Sequence, residues 1–297
     1  MNLFKILSFL ILLGCSTSSK KEKPILENED IELKSQHIEV EKAKMTNYNF
    51  VIHFNYESHG SVLINGIPSL YRSIEDTKSG SGRSITMPIR DLLVNGTNTI
   101  QLIGNFQKDK YEIGVYQNEI LEFGRLADED IEMELKESKP GFFNFEVNDI
   151  SKHLWDDGED FETSDYENLA AFALKMDHII KKGQTKKYIE LHKIEIQESV
   201  KRMNAAGNLS FSFKSVENDL KDSFKTIRKG KEYTSIDIPE SEIMYHISNS
   251  KKLATITHKN KPYLTGFKSN ENDHYGIWEW KMLYMKKNGK LIPILGY

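Results

Sequence analysis

The 297-residue chain holds one cysteine, Cys15, and nine histidines, at positions 37, 53, 59, 153, 178, 192, 246, 258 and 274. With the carboxylates and tyrosines, these are the side chains that could carry nucleophilic, acid–base or metal chemistry. A single thiol can neither close an intramolecular disulfide nor build a cysteine zinc site. No two histidines stand four apart around a glutamate, so there is no HExxH metal helix. The Gly-x-Ser-x-Gly elbow, the Walker loop and the Gly-x-Gly-x-x-Gly fingerprint are also absent. The run Asp156-Asp157-Gly158-Glu159-Asp160 offers the oxygen ligands that calcium takes, but its glycine falls too early for an EF-hand loop. A solvated acidic face is the simpler reading, and neither a metal nor a cofactor is expected.

Cys15 ends the segment MNLFKILSFLILLGC. Lys5 gives a positive start, and Ile6 to Leu13 form an apolar run. Counted even from Phe4, the run is about half the ~20 residues that a membrane-spanning helix needs. The ending Leu12-Leu13-Gly14-Cys15 resembles the lipobox of bacterial lipoproteins. That resemblance implies a diacylglyceryl thioether on Cys15, cleavage after Gly14 and acylation of the new amino terminus by a palmitate-type chain. The chemistry suits the residues: a small Gly14 lets a peptidase reach the backbone, and the thiolate is the nucleophile. Each buried methylene contributes ~0.8 kcal/mol, so several chains hold a protein on a bilayer where one would not. Ser16 is not an aspartate, which is similar to the class sorted to the outer membrane and implies a body facing the periplasm. Removing residues 1–14 as a signal peptide also removes Lys5 and takes the net charge from −4 to −5.

Residues 15–45 are charged and poor in aromatics, and Pro24 interrupts any early helix, so they read as a flexible tether. Lys20-Lys21 is a minimal patch for lipid headgroups. Lys and Arg total 40 against 44 Asp and Glu, with a pI of about 6.2, which disfavours a nucleic-acid partner. Aromatics at 10% can still supply cores despite 28% charged residues. At roughly 100–200 residues per domain, the length allows about two domains.

The first, 46–150, has period two. Phe50, Ile52, Phe54 and Tyr56 alternate, and Ser61–Ile64 runs into the turn Asn65-Gly66. Arg83–Ile89, Thr97–Ile103 and Tyr111–Tyr116 are further strands, with Asn95-Gly96 as a second turn. Phe142–Val147 is another, belonging here or bridging onward. The composition predicts an all-β antiparallel sandwich. The stretch from Ile89 to Ile100, with Gly96-Thr97-Asn98 before a core strand, looks like the edge hairpin of jelly-roll and immunoglobulin-like bacterial modules. Gly96 takes a positive φ and Asn98 ties down the turn. Some jelly rolls bind sugars through aromatics on one face. Tyr56, Tyr71 and Tyr116 could serve so here, although packing is the simpler role for each. Ser73–Ser84 is a flexible tip that feeds a strand, so its Gly-Ser-Gly run is no phosphate cradle.

An acidic connector, 151–165, leads to the second domain, 166–297, and Leu154-Trp155 pins it to one of its neighbours. Leu169, Phe172, Ala173, Met176 and Ile180 predict a helix over 166–182 ending at Gly183. Thr185 to Met203 predicts a second. Val216, Leu220, Phe224 and Ile227 predict a third, with Ser215 as N-cap and Gly230 as stop. Strands follow at Tyr233–Ile238, Glu242–Ile247, Leu253–His258, Tyr263–Phe267, Tyr275–Met285 and Leu291–Leu295, the last hairpin turning at Asn288-Gly289. The sum is an α+β two-domain chain whose C-terminal helices pack on a curved antiparallel sheet.

The order of helices then meander, closing on Tyr275–Met282 and Asn288–Leu291, resembles the NTF2-like (SnoaL-type) cone fold over about 130 residues. The chain departs from it between the second and third helices, where only Leu209–Phe213 reads as a strand. In that fold a cavity opens between sheet and helices, and its enzymes set an Asp or His beside a Tyr to abstract a proton and steady an enolate. The residues that the resemblance points to are Asp177, His178, Tyr245, His246 and Tyr263. Asp177 and His178 lie just outside the apolar helix face, and a Trp/Tyr-rich strand is usually core. The leading expectation is therefore a membrane-anchored envelope lipoprotein that binds or interacts without catalysis. Its partners would be the bilayer through acylated Cys15 and an envelope protein, a glycan or a neutralised toxin. The alternative is an isomerase or hydrolase using the C-terminal cavity.

Overall fold

The computed structural model describes residues 45–55, 57–77, 82–108, 110–120, 130–150, 152–205, 212–229, 233–235, 240–259, 261, 265–269 and 277–295. The lipobox, residues 15–44 of the tether, Tyr56, Tyr263 and the Leu209–Phe211 part of the expected strand lie outside them. The described chain mixes helices with sheets, and its strand pairings are antiparallel.

Strand β1 (Met45–Phe54) shows how alternation is spent. Tyr48, Phe50, Ile52 and Phe54 are buried, while the intervening residues face outward. It pairs with β4 (Arg83–Pro88) and β6 (Tyr111–Ile120), and β7 (Ile131–Glu132) extends the sheet to the order β4-β1-β6-β7. A second sheet, β3-β2-β5-β9-β8, contains β2 (His59–Ile64), β3 (Ile67–Arg72), β5 (Gly96–Asn105), β8 (Lys136–Lys139) and β9 (Phe142–Val147). Val62, Ile64, Ile100, Phe143 and Phe145 from this sheet share one core with Phe50, Ile52 and Val115 from the first. Phe142–Val147 thus belongs to the first half. The turn Asn65-Gly66 has φ of 49° and 84°, both left-handed, as a two-residue hairpin turn requires. The tip after Arg72 begins with a short helix, α1 (Ile74–Thr77).

Asn98, with no exposed surface, does more than fasten its own loop. Its Oδ1 accepts from Val94 N at 2.9 Å and from Asn65 Nδ2 at 2.7 Å, and its Nδ2 donates to Val94 O and Gly96 O. Asn65 in turn donates to Leu92 O and accepts from Thr99 N. One buried amide pair therefore ties the β2–β3 turn to the loop before β5.

In the second half, α2 (Tyr166–Lys181) buries Leu169, Ala173, Met176, Ile179 and Ile180 and stops at Gly183, whose φ is 60°. The expected second helix is two: α3 (Thr185–Leu191) and α4 (Lys193–Ala205). They divide at His192, whose backbone N and ring Nδ1 both reach the Tyr188 carbonyl, at 3.1 and 2.9 Å. Helix α5 (Phe213–Lys229) starts two residues before its expected cap. Ser212 Oγ accepts from Ser215 N at 3.1 Å and Ser215 Oγ accepts from Ser212 N at 2.9 Å, so Ser212 is the cap and Ser215 its reciprocal partner.

The meander divides between two sheets. One is β10-β13-β14, from Tyr233–Ser235, Thr265–Ser269 and Ile277–Trp280. The other is β11-β12-β15-β16, from Ile243–Ile247, Ala254–His258, Met282–Lys287 and Lys290–Leu295. The single strand expected over Tyr275–Met285 is interrupted at Lys281, whose Nζ donates to Ser69 O at 3.1 Å. Strand β15 then alternates between cores: Leu283 and Met285 join the core of the first half, while Met282 and Tyr284 join the helical core with Ile256, Met176, Tyr188 and Phe224. One sheet is thus the wall of both cores. Its β11–β12 loop is bonded to the first half by Asn249 N to Asn65 O at 2.9 Å and Asn249 Nδ2 to Thr99 Oγ1 at 2.8 Å.

The connector is fastened along its length. Trp155 is buried in the first core and donates Nε1 to Asp91 O at 3.2 Å. Its carboxylates meet lysines: Asp157 with Lys152 at 2.6 Å, Asp160 with Lys252 at 2.9 Å and Asp165 with Lys286 at 2.7 Å. Three carboxylates of the acidic face are therefore neutralised by lysines.

Candidate functional site

The acid–base set implied by the NTF2-like resemblance is dispersed. Asp177 is half-buried on α2 and pairs with Lys181 Nζ one turn on, at 3.1 Å. His178, the next residue, is exposed. Tyr245 stacks on Tyr166 with ring centroids 4.7 Å apart. His246 follows Tyr245 on β11 and so faces the other side of the sheet. Its Nε2 lies 3.0 Å from Thr257 Oγ1, which itself donates to Lys259 O at 2.8 Å. A hydroxyl has one proton, so His246 Nε2 must be the donor in that pair. Burial lowers the His246 imidazole to about 4, which leaves it neutral at pH 7. Tyr263 is outside the described residues. Tyr245 and His246 thus cannot serve one site, and His178 faces solvent.

A different phenol approaches Asp177. Tyr284 is fully buried in the helical core, edge-on to Phe172 at 5.8 Å. Burial raises its pKa, and the negative charge of Asp177 raises it further. No sequence signal joined these residues, which stand over a hundred positions apart on different elements.

A cleft where β3 meets β12 and β15 is lined by Ile67, Ser69, Met87, Thr255, Lys281 and Leu283. It encloses about 30 Å³, room for a water or two and far short of the ~300 Å³ of a small-molecule site.

Three buried histidines that pattern reading did not single out have structural partners. His153 donates Nε2 to Leu93 O at 2.9 Å and stacks on Trp155 at 4.5 Å. Its Nδ1 is 3.6 Å from Asp91 Oδ1, and burial lowers its pKa. His258 binds Glu242, which also pairs with Lys259 at 2.8 Å. His192 is wholly buried and stacked on Tyr188 at 4.1 Å. Because Nδ1 donates to the Tyr188 carbonyl, Nε2 is an unprotonated nitrogen, and it has no hydrogen-bond partner among the described residues. Burial lowers this imidazole to about 4. His153 and His258 each join two segments, whereas His192 is held by Tyr188 one turn before it.

Among the described residues, no group of three or more His, Cys, Asp or Glu could hold a metal ion. No described helix is long and apolar enough to cross a membrane. Of the aromatics considered for a sugar-binding face, Tyr71 and Tyr116 are half-buried. No protein-family model matches the chain, and no curated protein or solved structure matches it either.

Proposed function

We propose that this chain is a bacterial lipoprotein, held on the cell envelope by acyl chains on Cys15 and acting as a non-enzymatic binding module. The observation that carries the reading is that the chain's one sulfhydryl stands where Leu12-Leu13-Gly14-Cys15 needs it. An outer-membrane anchor with the body in the periplasm follows from Ser16 after the cysteine. The first half is read more finely as a β-sandwich of jelly-roll or immunoglobulin-like kind, supported by two antiparallel sheets that share a core. The second half is read as NTF2-like, supported by helices packed on one face of an antiparallel sheet. The dispersal of Asp177, His178, Tyr245 and His246 favours binding over catalysis.

Growth with radioactive palmitate tests the anchor. Wild-type protein is expected to take up label and Cys15→Ala to take up none. Equal labelling of the two would refute it.

A further inference from the structure

An asparagine side chain is attacked most readily by the next backbone nitrogen when that residue is glycine, because glycine has no Cβ to hinder the approach. The chain has three such pairs: Asn65-Gly66, Asn95-Gly96 and Asn288-Gly289. The fold treats them differently. Asn65 is buried and its carboxamide is held at both ends. Its Nδ2 donates to Leu92 O and Asn98 Oδ1, each at 2.7 Å, and its Oδ1 accepts from Thr99 N at 2.8 Å. Asn95 is exposed, yet its Nδ2 donates to Ile150 O at 2.9 Å and its Oδ1 accepts from Ile150 N at 2.8 Å. A carboxamide fixed in this way cannot bring its Cγ onto the next nitrogen without losing those bonds.

Asn288 is different. It and Gly289 are exposed at the tip of the β15–β16 hairpin, and a Cβ built on Gly289 would meet nothing within 4 Å. Among the described residues, no hydrogen bond holds the Asn288 carboxamide. What is held is the attacking nitrogen: Gly289 N donates to the Glu159 carboxylate, at 3.0 Å to Oε1 and 3.3 Å to Oε2. Glu159 belongs to the connector, and its own backbone N donates to Lys286 O on the same hairpin at 2.7 Å. An amide nitrogen becomes a nucleophile only once it has lost its proton. The carboxylate keeps that proton in place and opposes the negative charge that its loss creates.

We propose that Asn288 is a modification site, the one of the three pairs that deamidates in the folded chain, and that Glu159 restrains the reaction. Gly289 N bonds to Asn288 Cγ, the Cγ–Nδ2 bond breaks, and the proton that Gly289 N gives up to solvent is matched by one taken up by the departing ammonia. Water then opens the succinimide at either carbonyl, to aspartate or isoaspartate. Either product sets a second carboxylate near Glu159, and isoaspartate adds a methylene to the main chain of a two-residue turn. Conversion therefore weakens the hold of the connector on the hairpin. The inference goes beyond the binding reading and does not depend on acylation of Cys15.

Incubation of the full-length chain in mildly alkaline buffer, followed over time by peptide mass spectrometry, tests it. Asn288 is expected to convert while Asn65 and Asn95 stay intact, and in concentrated urea all three should convert. Glu159→Ala should raise the Asn288 rate by about threefold to tenfold, the scale of an exposed hydrogen bond to a charged group. Glu159→Gln, which keeps an acceptor without the charge, should raise it less. Asn65 and Asn95 serve as internal monitors of folding in each variant: their staying intact shows that a faster Asn288 reflects the lost carboxylate. Asn288→Asp, which carries the charge of the product, should speed hydrogen exchange at Gly289 N. A folded wild type that keeps Asn288 intact, or converts Asn65 or Asn95 as fast, would overturn the site. A Glu159→Ala rate no higher than that of the wild type would overturn the restraint, and unchanged exchange in Asn288→Asp would overturn the weakened hold.

Discussion

Replacing Asn98 by alanine should cost the fold about 4 kcal/mol. The side chain makes four hydrogen bonds at 2.7 to 2.9 Å, two accepted and two donated, with no exposed surface of its own. Alanine removes all four and leaves Val94 N, Val94 O, Gly96 O and Asn65 Nδ2 each short of a partner. An orphaned buried group costs about 1–3 kcal/mol. The lower end applies here, because Val94 and Gly96 are only half-buried and Asn65 Nδ2 keeps Leu92 O at 2.7 Å. Four losses at about 1 kcal/mol give the total, a large share of the ~5–15 kcal/mol that holds a typical domain. The assay is urea unfolding followed by fluorescence of Trp155, whose indole donates to Asp91 O nearby. The midpoint should fall while the slope stays constant. Thr97→Ala is the control: its exposed hydroxyl bonds Glu146 Oε1, and its loss should cost under ~1 kcal/mol. A loss under ~1 kcal/mol for Asn98→Ala would refute the view that this amide fastens two loops.

The His192 imidazole is held at about 4 when folded, against an ordinary value of 6.5. The unfolded chain therefore binds the proton first, so stability is full above pH 6.5 and falls as pH drops toward 4, by about 3 kcal/mol. His192→Gln should flatten that part of the profile, measured as the difference from wild type between pH 7 and 5; parallel profiles would contradict it. Met285→Ala and Tyr284→Ala strike opposite faces of β15, the first in one core and the second in the other. Each should lower a single common melting transition, by about 2–5 kcal/mol. Two transitions, each sensitive to one variant, would contradict a wall shared by both cores.

Much of this fold was legible because local and global signals agree. The alternation from Tyr48 to Phe54 is the buried face of β1, and Asn288-Gly289 turns with φ of 52° and 68°. Gly96-Thr97-Asn98 announced a tied-down turn, although not that Asn65 would be its partner. What stayed hidden depends on distant chain. Strand β3 carries Pro68 and Ser69 and is covered on both faces, so it lacks alternation. Strand β8, Lys-Glu-Ser-Lys, is exposed throughout and is held by pairing with β9 and by an ion pair of Glu137 with Lys108 at 2.9 Å. The period-two pattern runs on through Lys281 while the strand changes partners, and the helical period runs on through His192 while the helix breaks. The resemblance supplied Asp177 and Tyr245 as neighbours. Packing instead gave Tyr166 to Tyr245 and brought Asp177 toward Tyr284. Tyr116 was legible as an aromatic on a strand, but its close approach to Gly114, two residues before it on the same face, is a relation that only the pleat reveals.

The most direct test of the anchored-lipoprotein account is the mass of the amino-terminal peptide of the protein purified from bacterial membranes. The account predicts a chain that begins at Cys15, with diacylglyceryl on its sulfur and a further acyl group on its amine. A chain that begins at Met1, with a free thiol and recovered among soluble proteins, would contradict it.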